Sequence, residues 1–223
     1  MEEIKVENMQ MAQSANKKSL FITFVLMLLA VIPMSAQNTA EAWINKAIER
    51  LRNKGTEITF RINEDGVRIN GKLLMDGEKF LYDTEDIKIW SDGTTQWTLQ
   101  MGSGYNELYI NTPTPEEQQL INPYLLLSTY KERFTTVDKG RKNLNGKLVY
   151  MVQLQSIDES SELANINIYI TDDGSLSLIE PVTSDNRTYK IEIRSMRNGL
   201  TFPKNTFTYE SKEYPADEVI DLR

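Results

Sequence analysis

The chain has 223 residues, with 32 acidic against 25 basic side chains and a formal net charge of −7. That length suits one domain with a short appendage, and that charge argues against nucleic acid or an anionic membrane surface as the main partner. Neither Cys nor His is present, which excludes thiol nucleophiles, disulfides, thiolate zinc sites, Ser–His–Asp triads and imidazole metal sites.

Leu20 to Ile32 is an uncharged run of thirteen residues. A spanning helix needs roughly 20. Lys17 and Lys18 precede the run, and Pro33-Met34-Ser35-Ala36 follows it. This pattern predicts a secretory signal peptide over residues 1–36, cleaved after Ala36, rather than an uncleaved anchor. Glu2, Glu3 and Glu7 make the extreme N-terminus acidic, and a start at Met9 or Met11 would give a more basic leader. The expected mature chain, 37–223, keeps a net charge of −7.

Ala40, Trp43, Ile44, Ala47, Ile48 and Leu51 fall on one helical stripe. Asn38 or Thr39 is the expected cap, and Gly55 the expected C′ residue. The period then changes to two. Ile58, Phe60 and Ile62 alternate with polar residues, and Asp65-Gly66 turns into a strand over Val67–Met75. Asp76-Gly77 leads to Phe80 and Tyr82, and then Ile87, Ile89 and Trp90 follow. Asp92-Gly93 leads to Trp97, Leu99 and Met101, and a further strand covers Glu107–Asn111. Asx-Gly dipeptides between alternating runs indicate antiparallel hairpins.

In the middle, Thr114 can cap a helix that Pro115 opens. Asn122-Pro123 interrupts, and a second short helix carries Tyr124, Leu125, Leu126, Leu127 and Tyr130. Being apolar nearly all round, it should be covered or cover something. Period two returns with Leu148, Tyr150, Val152 and Leu154 on one face. It continues through Ile166, Ile168 and Ile170, then Leu176 and Leu178, then Tyr189, Ile191 and Ile193, and ends at Phe207 and Tyr209. About ten or eleven strands result, most with one polar face. The predicted architecture is mainly β (α+β): a strongly curved antiparallel sheet with helices against its apolar face.

Catalytic signals are sparse. No phosphate-binding glycine motif occurs. The carboxylate pairs Asp172-Asp173 and Asp158-Glu159 sit at turns, where Asp is a default residue. The aromatic set, Trp43, Trp90, Trp97, Phe60, Phe80 and Tyr82, reads either as core or as the lining of an apolar cavity left by short helices. Met75 and Met101 suit either.

Gly71 to Gln100, GKLLMDGEKFLYDTEDIKIWSDGTTQWTLQ, resembles the LolA-like periplasmic outer-membrane lipoprotein carrier family. The resemblance rests on Gly71, Phe80-Leu81-Tyr82 and Ser91-Asp92-Gly93-Thr94-Thr95-Gln96-Trp97. Asn122-Pro123-Tyr124-Leu125-Leu126, Thr206-Phe207-Thr208-Tyr209 and the order of elements also agree with it. It implies an open half-barrel sheet with short central lid helices, and a soluble periplasmic protein without a lipid-attachment Cys. It also implies a carrier, likewise not an enzyme and without a cofactor or metal, that shields lipoprotein acyl chains and shuttles them to the outer membrane. Its partners would be an inner-membrane releasing transporter and an outer-membrane acceptor, and it would act as a monomer. The acyl-binding stripe would comprise Ile58, Phe60, Phe80, Ile87, Ile89, Trp97 and Leu99, with Tyr124, Leu125, Leu126 and Leu127 as the lid. The proteobacterial carriers have Arg-Pro where this chain has Asp76-Gly77, so their Arg tie between sheet and lid cannot be made by the same residue.

Two other readings use the same fold: a lipid- or lipoprotein-sensing module, which would need a signalling partner, and an enzyme acting on a lipid or glycan, which would need carboxylates facing the cavity.

Overall fold

A computed structural model of the chain describes residues 33–52, 55–64 and 66–223. The basic flank and apolar run of the expected leader lie outside the described residues. Ala40–Arg223 forms a compact unit of its own. Among the described residues, no helix is long and apolar enough to cross a membrane.

Helix α1 spans Pro33–Arg52. Asn38 and Thr39 lie inside it, so neither is the expected cap. Pro33 stands at its start, where a fixed φ and a missing N–H are tolerated. Gly55 has φ +52°, and a Cβ there would stand 1.9 Å from the Leu200 carbonyl oxygen, so only glycine fits.

Six strands follow: β1 (Thr56–Glu64), β2 (Val67–Asp76), β3 (Lys79–Thr84), β4 (Ile87–Ser91), β5 (Gln96–Met101) and β6 (Asn106–Asn111). Helices α2 (Pro115–Ile121) and α3 (Pro123–Thr129) and a 3-10 turn (Tyr130–Glu132) lead to a second series: β7 (Phe134–Leu144), β8 (Lys147–Ser156), β9 (Leu163–Ile170), β10 (Leu176–Thr183) and β11 (Lys190–Arg197). A last strand, β12 (Glu218–Asp221), pairs parallel to β6. The sheet order is β12-β6-β5-β4-β3-β2-β1-β11-β10-β9-β8-β7. It is two antiparallel meanders joined where β1 pairs with β11, with Ile62 opposite Ile191. The sheet is open, with β12 and β7 as its edges.

Twelve strands exceed the ten or eleven expected. Strand β7 escapes a period-two reading because its register shifts between Asp138 and Arg141, where Gly140 has φ +69° and its N–H donates to Asp138. A charged, bulged strand is what a sheet edge needs to resist further pairing. Phe207 and Tyr209 are not in a strand. They belong to an irregular segment over 198–217. Leu148 is 55% exposed, unlike Tyr150, Val152 and Leu154, because it lies beside the hairpin end opposite Asn143.

Both faces of part of the sheet are covered. On one face Ala40, Ile44, Ala47 and Leu51 of α1 pack with Met75, Phe80, Tyr150, Val152, Ile168 and Leu127. Trp43 stacks on Tyr150 at 4.7 Å, and Lys46 donates to the Asp172 carbonyl. Arg50 lies 3.6 Å from Asp173. The Asp172-Asp173-Gly174 turn therefore receives the helix. Hydrogen bonds, first from Thr171 and then from Ser175, lower the Asp173 carboxyl to about 2. On the other face Trp90, Leu99 and Leu108 form a second cluster, covered by Tyr209, Tyr214 and Ala216 of the C-terminal segment.

Candidate functional site

Strand pairing aligns the site. Ile58 stands opposite Leu73, Leu73 opposite Tyr82, and Tyr82 opposite Ile89. These four form a row across β1, β2, β3 and β4. Across the junction of the meanders, Ile62 of β1 faces Ile191 of β11, which faces Ile179 of β10. Phe60 lies between the rows, stacked on Tyr82 at 5.3 Å. Its partner across β1 and β2 is Gly71, where a Cβ would come within 2.3 Å of the Phe60 ring. The glycine gives that ring its place.

Helices α2 and α3 lie over these rows. Thr114 caps α2 through a reciprocal capping box with Glu117. Asn122 is fully buried and caps α3, accepting from the Tyr124 and Leu125 N–H groups at 3.0 and 3.3 Å. Its Nδ2 donates to the Gly77 carbonyl at 3.0 Å. Gln119 donates to Thr129 at 2.8 Å and accepts from Arg133 at 3.3 Å, which ties α2 to the end of α3.

Between these helices and the sheet is a cavity of about 350 Å³. Among the described residues eighteen line it, none of them charged. Only Gln119 and Tyr82 bring polar side-chain atoms, and burial raises the Tyr82 phenol above its ordinary pKa. Among the described residues no group of His, Cys, Asp or Glu could hold a metal ion. What this lining can do is exclude water from an apolar ligand.

The family model described as outer membrane lipoprotein carrier protein LolA matches residues 34–200. The chain belongs to the LolA family. No curated protein matches its sequence. Among solved structures, an uncharacterized conserved protein of Thermus thermophilus shares the fold at TM-score 0.54 and 10% identity, over 80% of this chain and 96% of that one. The LolA superfamily protein NE2245 of Nitrosomonas europaea aligns at TM-score 0.42 and 10% identity, over 76% and 97%. LprF of Mycobacterium bovis aligns at 0.43 and 9%, over 75% and 97%.

This LolA-family chain places the expected stripe on two faces. Ile58, Phe60, Ile87 and Ile89 line the cavity. Phe80 is buried in the same core without lining it. Trp97 and Leu99 lie on the opposite face, in the second cluster. The reason is register: Trp90 pairs with Trp97 and Ile89 with Thr98, so Ile89 and Trp97 cannot share a face. Of the expected lid, Leu126 lines the cavity, Leu127 is buried in the core, Tyr124 packs against it and Leu125 is half-buried. Pro123 and the α2 residues Gln119, Leu120 and Ile121 line it too, as do Leu163, Ile166, Pro181 and Ile193 of the second meander. The alternation of those strands was visible in the sequence. Their place beside β1 depends on a pairing between residues about 130 apart. At the Asp76-Gly77 turn, Asn122 donates to the Gly77 carbonyl, which ties sheet and helices there.

Proposed function

We propose that the protein is a periplasmic carrier that shields lipoprotein acyl chains and conveys them toward the outer membrane without a chemical step. The observation that carries this reading is an uncharged cavity of about 350 Å³ beneath two short helices, in a chain of the LolA family. In this reading the sheet curves around the acyl chain, and α2 with α3 acts as a lid that shifts as the chain enters. Each buried methylene contributes about 0.8 kcal/mol, so a bound chain leaves slowly unless a partner takes it. A releasing transporter in the inner membrane and an acceptor in the outer membrane fill those roles, and the carrier works as a monomer after loss of its leader.

The test is mass spectrometry of what co-purifies with the protein from its native compartment. Acylated peptides in the wild type, absent from an Ile89→Asp variant, support the carrier. A stable complex with a membrane signalling protein and no acylated material would replace it with the sensing module. A chemically altered lipid or glycan would replace it with an enzyme.

A further inference from the structure

The hairpin that joins β7 to β8 differs from the rest of the chain in its charge. Lys139 to Leu148 holds four basic side chains and no acidic one, in a chain whose net charge is −7. Arg141 pairs with Asp172 at 3.2 Å. Lys139, Lys142 and Lys147 are exposed, and among the described residues none of them has a carboxylate partner. The hairpin also projects. Strand β9 begins to pair with β8 only at Tyr150, opposite Ile170, and β7 is the sheet edge. The tip, 143–148, therefore has no neighbouring strand. Its turn is tight: Asn145 and Gly146 have φ 52° and 83°, and the Gly146 N–H donates to the Asn143 side chain at 2.8 Å.

Alternation divides the tip between two faces. Lys142, Leu144 and Lys147 share one, and Leu148 lies on the other with Arg141, opposite Asn143. Edge protection accounts for the lysines. It does not account for Leu148, which is 55% exposed and invites the association that lysines oppose. A leucine at a protruding tip among cations on long stems suits an anionic bilayer. The ammonium groups meet the headgroups, the stems lie along the interface and the leucine leaves water. A soluble acidic peptide would satisfy the cations and leave the leucine in water.

We infer that the β7–β8 hairpin docks the protein on a membrane surface of anionic headgroups, with Leu148 as the residue that enters the bilayer. The net charge of −7 opposes approach of the rest of the chain, so contact is confined to the tip and is reversible. Leu154, toward the other end of β8, pairs with Ile166, which lines the cavity. Docking by the tip therefore leaves the cavity uncovered, whatever fills it.

Flotation of the mature protein with phosphatidylcholine vesicles, with and without phosphatidylglycerol, tests it. The expected result is binding to the mixed vesicles alone, weakening as salt is raised. Each lysine near such a surface is worth about fivefold in the partition coefficient, so Lys142→Gln combined with Lys147→Gln should weaken binding about 25-fold. Leu148→Asn should weaken it about tenfold. A folded Ile89→Asp protein, altered in the cavity, should bind as the wild type does. The tip positions are exposed, and unchanged urea midpoints check that their variants fold. No vesicle binding, equal binding to both vesicles, or an effect below about twofold from the lysine pair or from Leu148→Asn overturns the inference. Binding to soluble polyglutamate without binding to vesicles also overturns it and assigns the tip to an acidic protein. None of these results bears on the carrier reading, which rests on the cavity.

Discussion

Replacing Asn122 by Ala measures how the short helices are held to the sheet. The side chain is fully buried, accepts from two backbone N–H groups at the start of α3 and donates to Gly77. Losing an Asn cap costs about 1 kcal/mol. Gly77 is exposed, so water can replace the lost donor. Loss of that bond then costs only its net worth, about 1 kcal/mol. The expected destabilisation is therefore about 2 kcal/mol. With a urea m-value of about 2 kcal/mol/M, the unfolding midpoint should fall by about 1 M. Asn122→Asp separates the two roles. It keeps the acceptor for the Tyr124 and Leu125 amides but turns a carboxylate toward the Gly77 carbonyl in a fully buried place. It should cost at least as much as Ala at neutral pH, and less in acid, where a protonated carboxyl can donate. A folded Asn122→Ala protein destabilised by less than about 0.5 kcal/mol, the size of an ordinary surface effect, refutes the reasoning.

Ile89→Asp places a carboxylate in the cavity and should abolish uptake of a fluorescent fatty acid, whereas Trp97→Ala, on the opposite face, should leave uptake unchanged in a folded protein. Equal loss in both refutes the face assignment. Gly71→Ala pushes a methyl group against the Phe60 ring and should destabilise by about 1–3 kcal/mol in urea melts. A neutral result means that the ring does not lie over Gly71. Asp173 is a carboxyl lowered to about 2 in the folded state. It contributes stability that is present above its ordinary value of 3.8 and is lost as pH falls through about 2. Midpoints measured from neutral pH downward should fall less steeply in Asp173→Asn, and parallel curves refute the link.

Three of the five hairpins of the first meander were legible from local chemistry, an Asx-Gly turn flanked by alternating residues: Asp65-Gly66, Asp76-Gly77 and Asp92-Gly93. The short helices were legible for the same reason, from Thr114, Pro115 and the Asn122-Pro123 break. The side of the sheet that each strand turns inward was less so. All three large apolar residues of β5, Trp97, Leu99 and Met101, share one face, and an apolar face is ordinarily read as the one beneath the helices. Here that face is closed instead by Tyr209, Tyr214 and Ala216, supplied by a segment without regular structure about 100 residues further on. Its aromatic residues looked like a strand because Phe207 and Tyr209 are spaced by two. Phe207 packs edge-on against Phe202 at 5.4 Å, and Tyr209 against Trp90 at 5.5 Å. Strand β12 carries too few residues to show a period at all.

The helix-bearing face divides its labour between two kinds of cover. Helix α1 is held by side chains that are entirely buried, by the Trp43–Tyr150 stack and by Lys46 and Arg50 on the Asp172-Asp173 turn. Helices α2 and α3 have seven residues each, too few to be stable from backbone hydrogen bonds alone. Their fixings are a capping box, one buried asparagine, one glutamine and the buried Leu126 and Leu127 of α3, while Leu120 of α2 is 66% exposed at the cavity. Helix α2 has no fully buried apolar side chain among the described residues, and its local polar fixings mark it as the less stable of the two. The cavity thus lies under the weaker cover, and its floor is drawn from both meanders. The β1–β11 pairing that joins them creates the site, and α2, the less buried part of the cover, borders it.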